Sequence, residues 1–167
     1  PGLPGDGAPT TRGTGTGPAV QWLIALTKEL RKNLPRPRYT IAHAPQAPYF
    51  DIGYGKVWDG CGDDIDWLNM QFYNQGPYYT DVKSLVDRNI MPINPSSPSA
   101  NMTWDGSITD IVGHGVPAHK VVVGKPVKTG DGNSGIVAPD VLVTLLKAAV
   151  AKFPTLGGAM GWQWGSD

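Results

Sequence analysis

The chain has 167 residues, with 14 Lys plus Arg against 14 Asp plus Glu and a formal net charge of zero. That balance excludes a protein that grips nucleic acid or an anionic membrane by bulk charge, and 40% hydrophobic residues exclude wholesale disorder. The 22 glycines and 16 prolines exceed ordinary usage and follow no collagen period, so they punctuate turns and loops.

Residues 1–18 are rich in Gly, Pro and Thr and read as loop. They contain no apolar h-region and do not begin with Met, which fits a processed or incomplete polypeptide rather than a signal peptide. Residues 20–33 read as an amphipathic helix, with Val20, Leu23, Ile24, Leu26 and Leu30 on one stripe and Lys28, Glu29, Arg31 and Lys32 opposite. Pro35 and Pro37 end it. A short β-prone run follows at 39–43. Residues 51–63, with four glycines, read as loop. A second strand is expected at 66–73 and a helix at 80–88, with Val82, Leu85 and Val86 inward. Residues 91–105 read as a Pro/Ser/Asn loop holding Trp104, and 108–114 as a short helix. The run Lys120-Val-Val-Val-Gly124 predicts a strand buried on both faces. Residues 139–153 predict a helix with Pro139 in its first turn and Leu142, Leu145, Leu146 and Ala149 inward. A fourth strand is expected at 157–164.

This alternation predicts an α/β protein with a parallel sheet, outer helices and right-handed connections. Periodicity alone does not separate an open sheet from a barrel. Neither G-x-G-x-x-G nor a Walker A motif is present, so a nucleotide-binding open sheet lacks its signature. No run of eighteen apolar residues exists, so no transmembrane helix and no membrane partner are expected. Cys61 is the single cysteine; it is either a buried small hydrophobe or paired with another chain. His43, His114 and His119 lack metal-ligand spacing and read as ordinary surface or core histidines, so no metal is expected. Asn101-Met-Thr103 is an N-glycosylation sequon, compatible with secretion.

Four segments are more specific. Gln71-Phe72-Tyr73-Asn74, within the strand that starts at Asp66, resembles the sixth barrel strand of glycoside hydrolase family 18, the chitinases and endo-β-N-acetylglucosaminidases. The Q-F-Y-N form is similar to the plant and fungal branch, and with H-A-P-Q-A-P it is closest to fungal members. His43-Ala-Pro-Gln-Ala-Pro48 resembles that branch's fifth strand, Val121-Val-Val-Gly124-Lys-Pro126 its seventh, and Gly157-Gly-Ala-Met160-Gly-Trp162 its eighth. The seventh usually reads x-x-G-L-P-A in that branch. The segments occur in the family's order and span residues 39–164.

The resemblance implies a (β/α)8 TIM barrel of which residues 1–167 supply the C-terminal half, about strands five to eight. A full barrel needs ~250 residues. It also implies an N-terminal half, as a second chain or a preceding segment, that carries D-x-x-D-x-D-x-E with Glu as general acid. That motif is not in this chain. The look-alike Asp59-Gly-Cys61-Gly-Asp63-Asp64-Ile-Asp66 puts Leu68 where Glu must stand, so it reads as lead-in to the sixth strand.

The implied chemistry is substrate-assisted retaining hydrolysis of β-1,4-linked N-acetylglucosamine, in chitin or an N-glycan core, without a cofactor. Tyr73 would donate to the acetamido oxygen, Gln71 and Asn74 would lie at the same strand end, and Trp162 would floor the sugar. The alternative is a catalytically silent, chitinase-like lectin on the same barrel. Read alone, Tyr73 also fits a core tyrosine with a satisfied hydroxyl, Trp162 barrel packing, and Asn74 a turn. Trp164 reads as packing or rim, and Tyr78, Tyr79 and Trp104 as either cleft aromatics or loop packing.

Overall fold

The computed structural model describes residues 17–87, 90–92 and 103–163. Of the loop expected at 1–18, residues 1–16 lie outside them, and Pro18 belongs to a helix; the sequon Asn101, Trp164 and the side chain of Trp104 also lie outside.

Helix α1 is Pro18–Asn33, opened by a proline whose missing N–H costs nothing at a first turn. Its buried stripe is Val20, Leu23, Ile24 and Thr27 rather than the purely apolar set expected. Leu26 and Leu30 are exposed, with Trp22 on the same outer side. A polar residue fits the inner stripe because it is bonded. Thr27 donates its hydroxyl to the Leu23 carbonyl at 2.7 Å and meets His43 Nε2 at 3.1 Å. Nδ1 of His43 in turn lies 2.6 Å from the Tyr54 hydroxyl.

Strand β1, Ala42–His43, is shorter than the run at 39–43. The expected loop at 51–63 is instead helical. A wide turn at Phe50–Tyr54 leads into α2, Gly55–Cys61. The reason is visible in spacing: Phe50, Tyr54, Val57 and Cys61 recur every three to four residues, and all four are buried. Glycine here serves contact. A Cβ at Gly60 would lie 2.5 Å from Ile24 Cδ1, so its absence lets α1 and α2 touch. Cys61 is buried, with its thiol donating to the Val57 carbonyl at 3.1 Å.

Strand β2 is Trp67–Gln71. A helical turn at Lys83–Asp87 buries Leu85 and Val86 as expected. The expected loop at 91–105 is bounded by a two-stranded antiparallel pair, β3 (Ile90–Pro92) and β4 (Thr103–Asp105). Helix α3, Ile108–Gly113, starts at a capping box between Ser107 and Asp110. Strand β5 is Val121–Pro126, two residues longer than its apolar run. Helix α4, Pro139–Lys152, and strand β6, Gly158–Trp162, complete the order.

The main sheet runs β1-β2-β5-β6, and every pairing in it is parallel. This is the neighbour order and direction expected from the sequence. Its helix-side face carries the core: Leu68, Met70, Phe72, Val121 and Val123 are at most 1% exposed and belong to one cluster with Val20, Leu145 and Ala149. Strands β1 and β6 are its edges among the described residues.

Candidate active site

Strand alternation sorts β2 into two faces. Leu68, Met70 and Phe72 enter the core, while Asn69 and Gln71 point the other way and are half-buried. Register carries that second face across the sheet: Gln71 pairs Gly124, and Gly124 pairs Met160. One step further, Pro126 pairs Trp162. The Phe72 N–H donates to the Gly124 carbonyl at 3.2 Å, so the β2 ladder continues past Gln71 and Tyr73 keeps the alternation. Gln71, Tyr73 and Trp162 therefore share one face at the C-terminal ends of parallel strands.

Tyr73 is 3% exposed yet stands outside the continuous apolar core. Its hydroxyl makes no hydrogen bond among the described residues. Burial pushes its pKa up, so it remains a neutral O–H donor at neutral pH.

Gln71 is held from the side. Its Nε2 donates to the Ala44 carbonyl, and its backbone N–H donates to Pro45 at 2.9 Å. That leaves Oε1 as its acceptor. Asn74 is at once a turn residue and a staple. Its φ is +65°, and its Oδ1 accepts from the Asn133 N–H at 2.7 Å while its own N–H donates to Ser134 at 3.0 Å. Trp162, on the edge strand β6, is 46% exposed among the described residues. The peptide after it is cis. Tyr79 is fully buried edge-on against Phe72 with ring centroids 5.2 Å apart, which makes it packing rather than a cleft aromatic.

Two contributors behind Tyr73 escaped the sequence reading. Lys125 extends from the core side of β5 and is 3% exposed. Its Nζ donates to the carbonyls of Phe72 (2.8 Å), Tyr79 (2.6 Å) and Gly135 (3.1 Å). Burial lowers its pKa to about 8. Gly135, at φ +83°, is pressed so close that a Cβ would lie 2.8 Å from Tyr73 Cα. The signal for Lys125 was its place at the end of a buried apolar run; Gly135 left none.

The acidic look-alike sits at the opposite end of β2. Arg31 and Arg36 both pair with Asp66 and also bond the Asp64 and Asp63 carbonyls. The Ile41 N–H donates to Asp66 at 2.6 Å. Asp66 is a latch at the N-terminal end of the strand, remote from Tyr73 along the chain direction. His114 does meet a carboxylate, Asp59, at 3.1 Å, a contact its sequence spacing did not announce.

No family model matches the chain. Endochitinase 3 of Metarhizium anisopliae is 28% identical over 144 residues, covering 84% of this chain and 41% of that protein. A family 18 chitinase from Pseudoalteromonas aurantia superposes with a TM-score of 0.69 at 32% identity, covering 95% of this chain and 53% of its own. The chain is a relative of the family 18 glycoside hydrolases. It spans about half the length of the proteins it matches. The family 18 fold is shared more widely. A fungal endo-β-N-acetylglucosaminidase of that family gives a TM-score of 0.64 at 24% identity, covering 86% of this chain and 44% of its own. A xylanase and α-amylase inhibitor protein from Scadoxus multiflorus gives 0.51 at 17%, covering 89% of this chain and 46% of its own. At those identities the likeness is one of fold.

Proposed function

We propose that this chain forms strands five to eight of a (β/α)8 barrel whose complete protein hydrolyses β-1,4-linked N-acetylglucosamine, in chitin or an N-glycan core. The observation that carries the reading is a buried tyrosine whose hydroxyl makes no hydrogen bond among the described residues, on the same sheet face as an exposed tryptophan, at the C-terminal strand ends. That is where barrel enzymes place their sites. The likeness to chitinases supports the substrate class.

The N-terminal half, as a preceding segment or a second chain, supplies the general acid, which protonates the glycosidic oxygen. The sugar's acetamido oxygen attacks the anomeric carbon. The C–O bond to the leaving sugar breaks, and the electron pair leaves with the protonated oxygen. Tyr73 donates to the acetamido oxygen and holds it in line with the anomeric carbon that it attacks. Trp162 lies under the sugar's C–H face, and Gln71 Oε1 accepts from it. Asn74 adds its amide nitrogen to the same rim. Water then attacks the anomeric carbon, the bond from that carbon to the acetamido oxygen breaks, and the water's proton returns to the general acid's carboxylate, so configuration is retained. The reading asks for no cofactor. A secreted protein suits a polymeric substrate outside the cell.

The test is the complete protein with Tyr73→Phe, assayed for turnover and affinity of a chito-oligosaccharide. Losing the donor that orients the attacking oxygen costs roughly 10² in turnover and little in affinity. An active parent whose variant keeps full turnover overturns the role of Tyr73. A parent that binds without turnover makes the protein a lectin on this barrel.

A further inference from the structure

Lys125 is a buried cation with no carboxylate at its ammonium among the described residues. Its three hydrogen bonds all go to main-chain carbonyls: Phe72 at 2.8 Å, Tyr79 at 2.6 Å and Gly135 at 3.1 Å. Taking an ammonium out of water is expensive unless its protons are satisfied, and here three acceptors match three donors. The acceptors are distant in sequence but converge around one residue. Phe72 precedes Tyr73. Tyr79 ends the excursion that follows it. Gly135 lies against it from the loop after β5, where a Cβ would come within 2.8 Å of Tyr73 Cα and 3.1 Å of the Phe72 oxygen. The same loop is stapled to Asn74 through Asn133 and Ser134. An apolar residue at position 125 could fill the volume but could not tie these three strands of backbone together.

We propose that Lys125 is the positioning residue for Tyr73, its ammonium clamping the Phe72, Tyr79 and Gly135 carbonyls so that the backbone presents the Tyr73 hydroxyl at a fixed place. The clamp rests on the proposed role of Tyr73, since a fixed backbone matters for turnover only if that hydroxyl acts. Lys125 touches no substrate. It works from the core side of β5, through the main chain. Burial lowers its pKa, but the amine keeps its proton at neutral pH, where the clamp is complete.

A double-mutant cycle in the complete protein tests this. Lys125→Met keeps length and apolar bulk and removes the donors. In the parent background we expect turnover of a chito-oligosaccharide to fall by roughly ten- to a hundredfold with KM little changed, the effect of a misplaced catalytic group. In the Tyr73→Phe background the same change should cost less than threefold in turnover, because the hydroxyl it positions is already gone. Lys125→Gln, which retains an amide donor on a shorter side chain, should fall between parent and Met. Equal losses in both backgrounds overturn the proposal and make Lys125 a fold residue. So does a full-turnover Lys125→Met, or loss of folding in both the Met and Gln variants. A Tyr73→Phe protein that keeps parental turnover refutes the role of Tyr73 instead, whatever Lys125 does.

Discussion

Replacing Asp66 by Asn tests how the N-terminal end of the sheet is held. The Asp66 side chain is 14% exposed and faces Arg31, itself 12% exposed, and the more open Arg36. Burial alone would push its carboxyl pKa up. The Ile41 N–H and the Arg36 and Arg31 side chains outweigh that and hold it at about 2, against 3.8 unperturbed. A carboxyl depressed on folding stabilises the folded state above its unfolded pKa and ceases to do so as pH falls through the folded value. The gap corresponds to about 2 kcal/mol at neutral pH, with about half of it gone by pH 3. The variant removes the charge and leaves Arg31 facing a neutral amide. We expect Asp66→Asn to be about 2 kcal/mol less stable than the parent at pH 6. By pH 3 the deficit should shrink to about half. Urea unfolding of both proteins across that range measures it. A deficit independent of pH would show that the latch works by shape or hydrogen bonding alone and refute the charge argument.

Three further outcomes follow from local geometry. Gly124→Ala would place a Cβ 2.7 Å from the Met70 carbonyl and 2.8 Å from Met160 Cε, so chemical denaturation should show a loss of about 1–3 kcal/mol. Lys125 binds its proton less tightly when folded, at about 8 against 10.5, so the unfolded chain holds more protons between those values. The stability of the parent relative to Lys125→Met should therefore rise by about 3 kcal/mol as pH climbs through that window in urea titrations; a falling difference would contradict the buried cation. Trp162→Ala should leave stability within about 0.5 kcal/mol, because the ring is 46% exposed, yet weaken chito-oligosaccharide binding roughly tenfold by calorimetry.

The strand order was legible because parallel strands announce themselves as apolar runs between helices, and Val121-Val-Val is such a run. Gln71, Tyr73 and Trp162 were legible only through the motifs around them; a lone tyrosine in a strand is ordinary. The stretch 51–63 was misread because its glycines looked like loop punctuation. In the fold Gly60 is a contact surface against Ile24, and the helical spacing of Phe50, Tyr54, Val57 and Cys61 is the stronger signal. The exposure of Leu26 and Leu30 was not legible, since the apolar stripe of α1 is wider than the face it packs with. Lys125 was passed over because the apolar run ends at Gly124, although the strand continues to Pro126. Its role depends on carbonyls from two other chain segments, and no local pattern records those.

The two faces of β2 divide the work of the fold. Leu68, Met70 and Phe72 are fully buried in the helix-side core, so substitutions there should act on stability through lost contacts and cavities. Gln71 and Tyr73 face the other way, Gln71 half-buried and Tyr73 with a hydroxyl that makes no hydrogen bond among the described residues. Because the strand period is two, the same backbone segment serves both purposes without compromise between neighbours. Lys125 crosses that division. It belongs by parity with Val121 and Val123 on the core side, and yet its bonds converge on the backbone at Tyr73. A polar side chain in the core layer is costly, and main-chain carbonyls that would otherwise be buried at the ends of β2 and the loop after β5 offset that cost. The geometry of the site face is thus set from behind it, by a residue whose burial conceals it from any search confined to the exposed strand ends.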